Sequence, residues 1–194
     1  MKTLIQAIVT LCALALALPS KAADSLVLSQ VDALCVANRA APDRVFAAAE
    51  VAGWKPIQDE YGGILDLFGM TASPAIRLKN FDERQLMLKA KEEVLSVPDG
   101  SVRRRICSVS EDARPSPDAA ESLRARFGVP PTAIEGPISS WAWVETANGK
   151  QFISGQGRED FFRALADHGV YLLAVASEGQ ISIVMFYELS RVSP

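Results

Sequence analysis

The hydrophobic positions in the C-terminal half of the chain alternate with polar ones in several short stretches. Alternation is typical of half-buried β-strands and predicts strands at 139–146 and 151–154. The Asn148-Gly149 pair between them favours a two-residue type I′ turn, which places Glu145 opposite Phe152. These stretches therefore predict a β-hairpin.

A second hairpin is predicted from residues 170–177 and 180–190, around Glu178-Gly179. Both faces of its strands are apolar. Strands that are apolar on both faces are usually covered on both sides. We expect this hairpin to lie near the centre of a sheet.

Four other stretches place their hydrophobic residues at helical spacing. The shared faces contain Val27, Val31, Leu34 and Cys35; Val45, Ala48, Ala49 and Ala52; Ala119, Ala120, Leu123 and Phe127; and Phe161, Phe162 and Leu165. Residues 83–95 fit a helix and a strand equally well, and the sequence leaves that choice open. Helices interspersed with hairpins predict an α+β fold, with helices packed on a mainly antiparallel sheet.

The first 22 residues have the pattern of a secretory signal peptide. Lys2 precedes an apolar run, Ile8 to Leu18, and Ser20-Lys21-Ala22 offers small residues for cleavage. The run is shorter than the roughly 20 residues of a membrane-spanning helix, so no anchor is expected after cleavage. The interpretation is a signal peptide at 1–22 and a single α+β domain at 23–194, located in the periplasm or secreted.

Of the three cysteines, Cys12 lies in the predicted leader. Cys35 and Cys107 remain in the exported chain, where an even number of cysteines predicts a disulfide. The alternative is two separate buried thiols.

Three consecutive arginines, Arg103 to Arg105, form the densest positive charge in the sequence. Alternation along a strand sends them to both faces of a sheet. One interpretation is a patch for an acidic partner. The favoured one is an edge strand that uses charge to prevent aggregation.

The remaining sequence offers little for catalysis. His168 is the only histidine, and it follows a predicted helix without a recognisable partner. We predict no metal site and no cofactor. Loss of Lys2 and Lys21 with the leader takes the net charge from −3 to −5, which disfavours a nucleic-acid partner. The predicted function is an exported non-enzymatic protein that binds a protein or a small ligand; the alternative is a carboxylate-dependent hydrolase of the cell envelope.

Trp141, Trp143 and Phe152 are the candidate binding residues. The two tryptophans alternate along one strand and share a face with Phe152. Three aromatic rings on one face can form a platform for a peptide or sugar if that face is at least partly exposed. The favoured interpretation is a core position, under either the helix that carries Leu123 and Phe127 or the helix that carries Phe161 and Leu165, because tryptophans are mostly buried.

Overall fold

The computed structural model describes residues 25–57, 76–97, 100–112, 118–153, 158–178 and 181–192, and the predicted leader lies outside these ranges. The helices are α1 (Leu26–Gln30), which continues as a π-helical segment (Val31–Val36), α2 (Pro42–Val51), α3 (Asp118–Phe127) and α4 (Arg158–Asp167). The strands are β1 (Lys55–Pro56), β2 (Ile76–Phe81), β3 (Arg84–Val97), β4 (Gly100–Asp112), β5 (Ala133–Glu135), β6 (Ile138–Thr146), β7 (Gly149–Phe152), β8 (Val170–Glu178) and β9 (Ile181–Val192). None of the described helices is long and apolar enough to cross a membrane.

All these strands belong to one antiparallel sheet. Its order is β1-β2-β3-β4-β9-β8-β6-β5, and β7 pairs with β6. The predicted hairpins are β6–β7 and β8–β9, and β9 lies at the centre of the sheet beside β4. The predicted fold class, with helices packed on a mainly antiparallel sheet, is confirmed.

The ambiguous residues 83–95 lie almost entirely in strand β3. Leu86, Leu88 and Ala90 alternate along it and are buried. β3 pairs with β2 on one side and with β4 on the other. Strand pairing and burial of this kind override the helical propensity of single residues.

The β6–β7 hairpin differs from its predicted register by two residues, and its loop is displaced by one. Trp143, rather than Glu145, lies opposite Phe152, and the loop residues are Ala147 and Asn148. A type I′ turn needs positive φ at both loop residues, but here the positive φ, 104°, belongs to Gly149. The predicted turn was wrong, while Phe152 and Trp143 still share a face as expected.

The sheet has two faces with different coverings. The first face carries Leu88, Val109 and Val184 and is covered by α1, its π-helical extension, α2 and α3, which together form the main core. The opposite, second face carries Ala142 and Val170 and is covered in part by α4.

The predicted disulfide is confirmed. Cys35 in the π-helical segment is bonded to Cys107 in β4, across 72 residues of sequence. Both side chains are buried in the main core. The bond therefore ties the first helix to the centre of the sheet, as the sequence suggested.

Candidate functional site

The aromatic residues that the sequence singled out lie together beneath α3. The centroid of the Phe127 ring is 6.0 Å from that of Trp141, 5.8 Å from Trp143 and 5.1 Å from Phe152. Trp141 is 0% and Trp143 is 2% exposed, and Phe152 is partly buried. The two tryptophans therefore occupy the core position that the sequence favoured, and the hypothesis that they are partly exposed is wrong, because α3 covers them. The binding role of the three residues stays a prediction.

Charged side chains close the edge of this aromatic cluster. Arg39 donates hydrogen bonds to Tyr171 Oη at 2.7 Å and to Glu145 Oε2 at 2.8 Å. Lys150 Nζ lies 4.6 Å from the centroid of the Trp143 ring. Burial lowers the pKa of Lys150 and raises the pKa of Tyr171. Arg39, Glu145 and Tyr171 therefore bond to one another, and Lys150 contacts the ring of Trp143, so these side chains border the aromatic core.

An unusual backbone turn places Arg39 over this edge. Arg39 and Ala40 have φ values of 51° and 49°, a left-handed conformation that non-glycine residues seldom adopt. The Ala40 N–H donates to the Cys35 carbonyl at 2.8 Å, and the Ala40 side chain is buried. Packing and the neighbouring disulfide hold the strained turn in place. The turn has a structural role, because the guanidinium that it positions is already bonded to Tyr171 and Glu145.

The three consecutive arginines lie on β4, in the interior of the sheet. β4 pairs with β3 and with β9, so the predicted edge strand was wrong. Alternation sends Arg103 and Arg105 to the first face and Arg104 to the second, as expected.

Glutamates on neighbouring strands make these charges tolerable inside the sheet. Arg105 donates to Glu92 at 2.7 Å and to Glu188 at 3.1 Å on the first face. Arg104 donates to Glu93 at 2.6 Å on the second face. Opposite charges on adjacent strands attract one another directly, which compensates for the polar row in an otherwise apolar sheet.

Glu111 is the feature that bears on the hydrolase alternative. It is the one buried carboxylate among the described side chains, 2% exposed, and both of its oxygens accept hydrogen bonds from Arg84. Glycosidase-type chemistry needs two carboxylates facing one cleft, whereas this carboxylate is held by a bidentate ion pair. The Glu111–Arg84 pair is therefore a structural ion pair.

The histidine and the possible metal ligands do not form a recognisable site among the described residues. His168 directly follows α4 and is exposed. Within the described ranges, no group of three or more His, Cys, Asp or Glu residues is placed to hold a metal ion.

The second face presents the surface that remains available. α4 packs Phe161, Ala164 and Leu165 against Ala142 and Val170, at one end of the strands. The described helices other than α4 pack on the first face. No described helix covers the rest of the second face, which we call the open half. Most of its side chains on β3, β4, β8 and β9 are partly or fully exposed, although Ser110 and Ala174 are buried.

Two rows of side chains dominate the open half. The basic strip is Lys89, Lys91 and Arg104, and the apolar strip is Ile106, Ile183 and Met185. Lys91 lies directly opposite Ile106, and Ser108 lies between Lys89 and Met185. Neighbouring strands are about 4.8 Å apart, so the two strips run side by side within about 10 Å.

The basic strip carries excess positive charge. Glu93 accepts hydrogen bonds from Arg104 at 2.6 Å and from Lys91 at 3.1 Å. Both bonds lower the pKa of Glu93, that from Arg104 most, and keep it ionised. In the part of the chain that the structure describes, Lys89 has no ion-pair partner. Among the described side chains, Glu93 is therefore bonded to two of the three cations, and Lys89 is left without a carboxylate partner.

A tyrosine borders both strips. Tyr187 pairs with Ile106 across the β4–β9 ladder and donates a hydrogen bond to Met185 Sδ at 3.2 Å. Burial raises the pKa of Tyr187, and the positive charge of Arg104 opposes that effect. The hydroxyl stays protonated at neutral pH, so it adds a neutral polar group to the apolar strip.

The chain matches no protein-family model, and no curated protein or solved structure is significantly similar to it. Its function is therefore inferred from the geometry and charge of its own residues.

The open half is the surface that sequence reasoning missed. Arg104, Ile106 and Ser108 were expected on one face of a strand, but nothing in the sequence joined them to Lys89. That link depends on the β3–β4 register, Lys89 opposite Ser108, and on β3 being a strand at all. A weak signal was present, because Lys89 and Lys91 alternate within the ambiguous stretch.

Proposed function

We propose that this chain is an exported, non-enzymatic protein that binds another protein through the open half of the second face. The observation that carries the proposal is the partly exposed apolar strip beside a basic strip with excess charge. Most apolar sheet faces are covered within the same chain, as the first face is here. Partly exposed apolar surface rimmed by polar groups is typical of interaction sites.

A protein partner fits this surface better than a small molecule. Small-molecule sites are concave and enclose most of the ligand. The open half instead extends over several adjacent strands of a sheet, from β3 to β8. A surface of this breadth suits a macromolecular partner.

Export is supported by two independent features. The first 22 residues have the pattern of a cleaved leader. The Cys35–Cys107 disulfide suits an oxidising compartment outside the cytoplasm. We expect intact-mass measurement of the protein from its native host to give a chain that starts at Ala23. A chain that retains Met1, or a lipid on Cys12, would contradict export by this route.

Site-specific photo-crosslinking tests the binding surface. A photoreactive amino acid replaces Ile106 or Met185 of the apolar strip in the native host, and Val51 serves as the control. Val51 is 93% exposed on α2, which packs on the first face. We expect light-dependent adducts with the same partner from both strip positions, identified by mass spectrometry, and none from Val51. Adducts of equal yield from all three positions, or none from the strip, would refute the proposal.

A further inference from the structure

The second face already accommodates one amphipathic helix. α4 lies on one end of the strands and buries Phe161, Ala164 and Leu165 against the sheet. The open half continues from that helix along the same strands. The surface beside α4 therefore belongs to strands on which a helix already packs in this fold.

The dimensions of the open half suit one more helix. The strands from β3 through β4 and β9 to β8 are three steps apart, which is about 14 Å across. An α-helix with its side chains is about 10 Å wide. A single helix therefore covers the apolar strip and still leaves the basic strip along one flank.

The positive charges of the basic strip indicate which residues a bound helix carries on the side that faces β3. Lys89, Lys91 and Arg104 lie on β3 and β4, while Ile183 and Met185 lie on β9. A partner helix that buries its apolar face on β9 brings its β3-facing flank to the three cations. Carboxylates on that flank neutralise the positive charge that remains on the basic strip after Glu93 has bonded to Lys91 and Arg104.

We infer that the occupant of the open half is an amphipathic α-helix of a partner protein, with an acidic stripe next to its apolar face. This inference rests on the proposed function, that the chain is a protein-binding module. It adds the secondary structure and the charge of the bound segment, and its orientation beside α4.

The test uses synthetic amphipathic peptides of about 15 residues, which form helices about 22 Å long. One peptide carries leucines on its apolar face and glutamates along one flank, and its twin carries lysines in place of the glutamates. Binding to the full mature protein is measured by fluorescence anisotropy of the labelled peptide. We expect the glutamate peptide to bind and the lysine peptide to bind at least about tenfold more weakly, with the difference shrinking at high salt.

Variants of the basic strip give effects of opposite sign. Lys89→Gln should weaken binding of the glutamate peptide about two- to fivefold, because it removes a cation. Glu93→Gln should strengthen binding by a similar factor, because it removes the one carboxylate on the strip. Arg44→Gln is the matched control. Arg44 is exposed on α2, whose buried side packs on the first face, so its loss should leave binding unchanged.

Reversal of the charge at Lys89 is the most discriminating variant in this experiment. In Lys89→Glu the preference should shift from the glutamate peptide toward the lysine peptide. If both peptides bind alike, or if Arg44→Gln changes binding as much as Lys89→Gln, the acidic-helix inference is overturned.

Two further outcomes would assign the surface to another occupant. If sedimentation velocity shows a dimer that Met185→Glu dissociates, the open half is an interface between copies of this chain. If phosphatidylglycerol vesicles bind with the same dependence on Lys89 and the glutamate peptide does not bind, the occupant is a membrane. Crosslinks at Ile106 and Met185 to a partner segment that is not helical would overturn this inference while leaving the proposed protein-binding function intact.

Discussion

The two faces of the sheet are built from the same strands, but helices cover the first face much more extensively than the second. On the first face, three helices and a disulfide cover large side chains such as Trp141 and Phe186, which are almost fully buried. On the second face, α4 covers one end, and Ile106 and Met185 remain partly exposed. Because alternation sends successive residues to opposite faces, one face can carry the main core while the other keeps the surface that we propose for binding.

The charges follow the same division. On the first face, Arg105 bonds to both Glu92 and Glu188, and Arg84 bonds to the buried Glu111. On the second face, Glu93 bonds to Lys91 and Arg104, and Lys89 has no ion-pair partner among the described residues. Charges that are satisfied within the chain contribute to the fold, whereas unbalanced ones are available to a partner.

The largest contrast between the faces should appear when one side chain of each is truncated. Trp143→Ala removes a buried ring that contacts Phe127 and Tyr171, and should lower the free energy of unfolding by about 3–5 kcal/mol. Met185→Ala on the open half should cost about 1 kcal/mol, because the side chain is already partly solvated. Urea unfolding followed by circular dichroism measures both. Equal costs would remove the distinction between a stability face and a binding face.

Removal of the disulfide should have the next largest effect. Cys35→Ser combined with Cys107→Ser releases a bond between residues 72 apart in sequence. Loss of this constraint on the unfolded chain should cost roughly 2–4 kcal/mol. Guanidinium unfolding of the double variant against the oxidised protein measures the loss. Peptide binding at 20–25 °C is the control, since the open half does not contain the bond; a folded double variant with lost binding would show that the two faces are coupled.

The buried ion pair on the first face should cost less, because Arg84 is itself partly exposed. Arg84→Gln leaves the Glu111 carboxylate buried without its cation. The free energy of unfolding should fall by about 2 kcal/mol at neutral pH. Replacing both residues, Arg84→Gln with Glu111→Gln, should recover part of the loss, because no buried charge is then left unpaired. A double variant less stable than the single one would contradict this account.

Local patterns in the sequence predicted the features that depend on alternation and compartment. The disulfide followed from two cysteines in a chain that the sequence predicts to be exported, and the shared face of Trp143 and Phe152 followed from strand periodicity. The sequence favoured a core position for the tryptophans but left open which helix covers them, because the position of α3 over the tryptophans is a tertiary contact between distant segments.

Features that depend on pairing between strands could not be predicted from the sequence. β3 is a strand because β2 and β4 flank it, and its own residues favour a helix equally well. The basic strip combines Lys89 and Lys91 of β3 with Arg104 of β4, so it exists only once their register is known. The β6–β7 turn was displaced by one residue because Gly149 adopts its positive φ after the loop rather than within it.

The smallest predicted effect is a pH dependence that originates on the second face. Hydrogen bonds from Arg104 and then from Lys91 lower the pKa of Glu93 in the folded protein. A carboxyl whose folded pKa is depressed stabilises the fold above its unfolded pKa, about 4.3 for glutamate, and this contribution is lost as the pH falls through the folded pKa.

Glu93→Gln should therefore lower the free energy of unfolding by less than about 1 kcal/mol at pH 7, because this pair is partly solvated. The difference from the unmodified protein should shrink as the pH falls below about 4.3 and vanish once Glu93 is protonated in both states. Urea unfolding between pH 3 and pH 7 measures it, with Glu135→Gln on the exposed strand β5 as the control. A difference that is constant over this range would mean that Glu93 contributes through packing. The carboxylate of Glu93 would then not neutralise Lys91 and Arg104, and the positive charge of the basic strip would be larger than the ion pairs indicate.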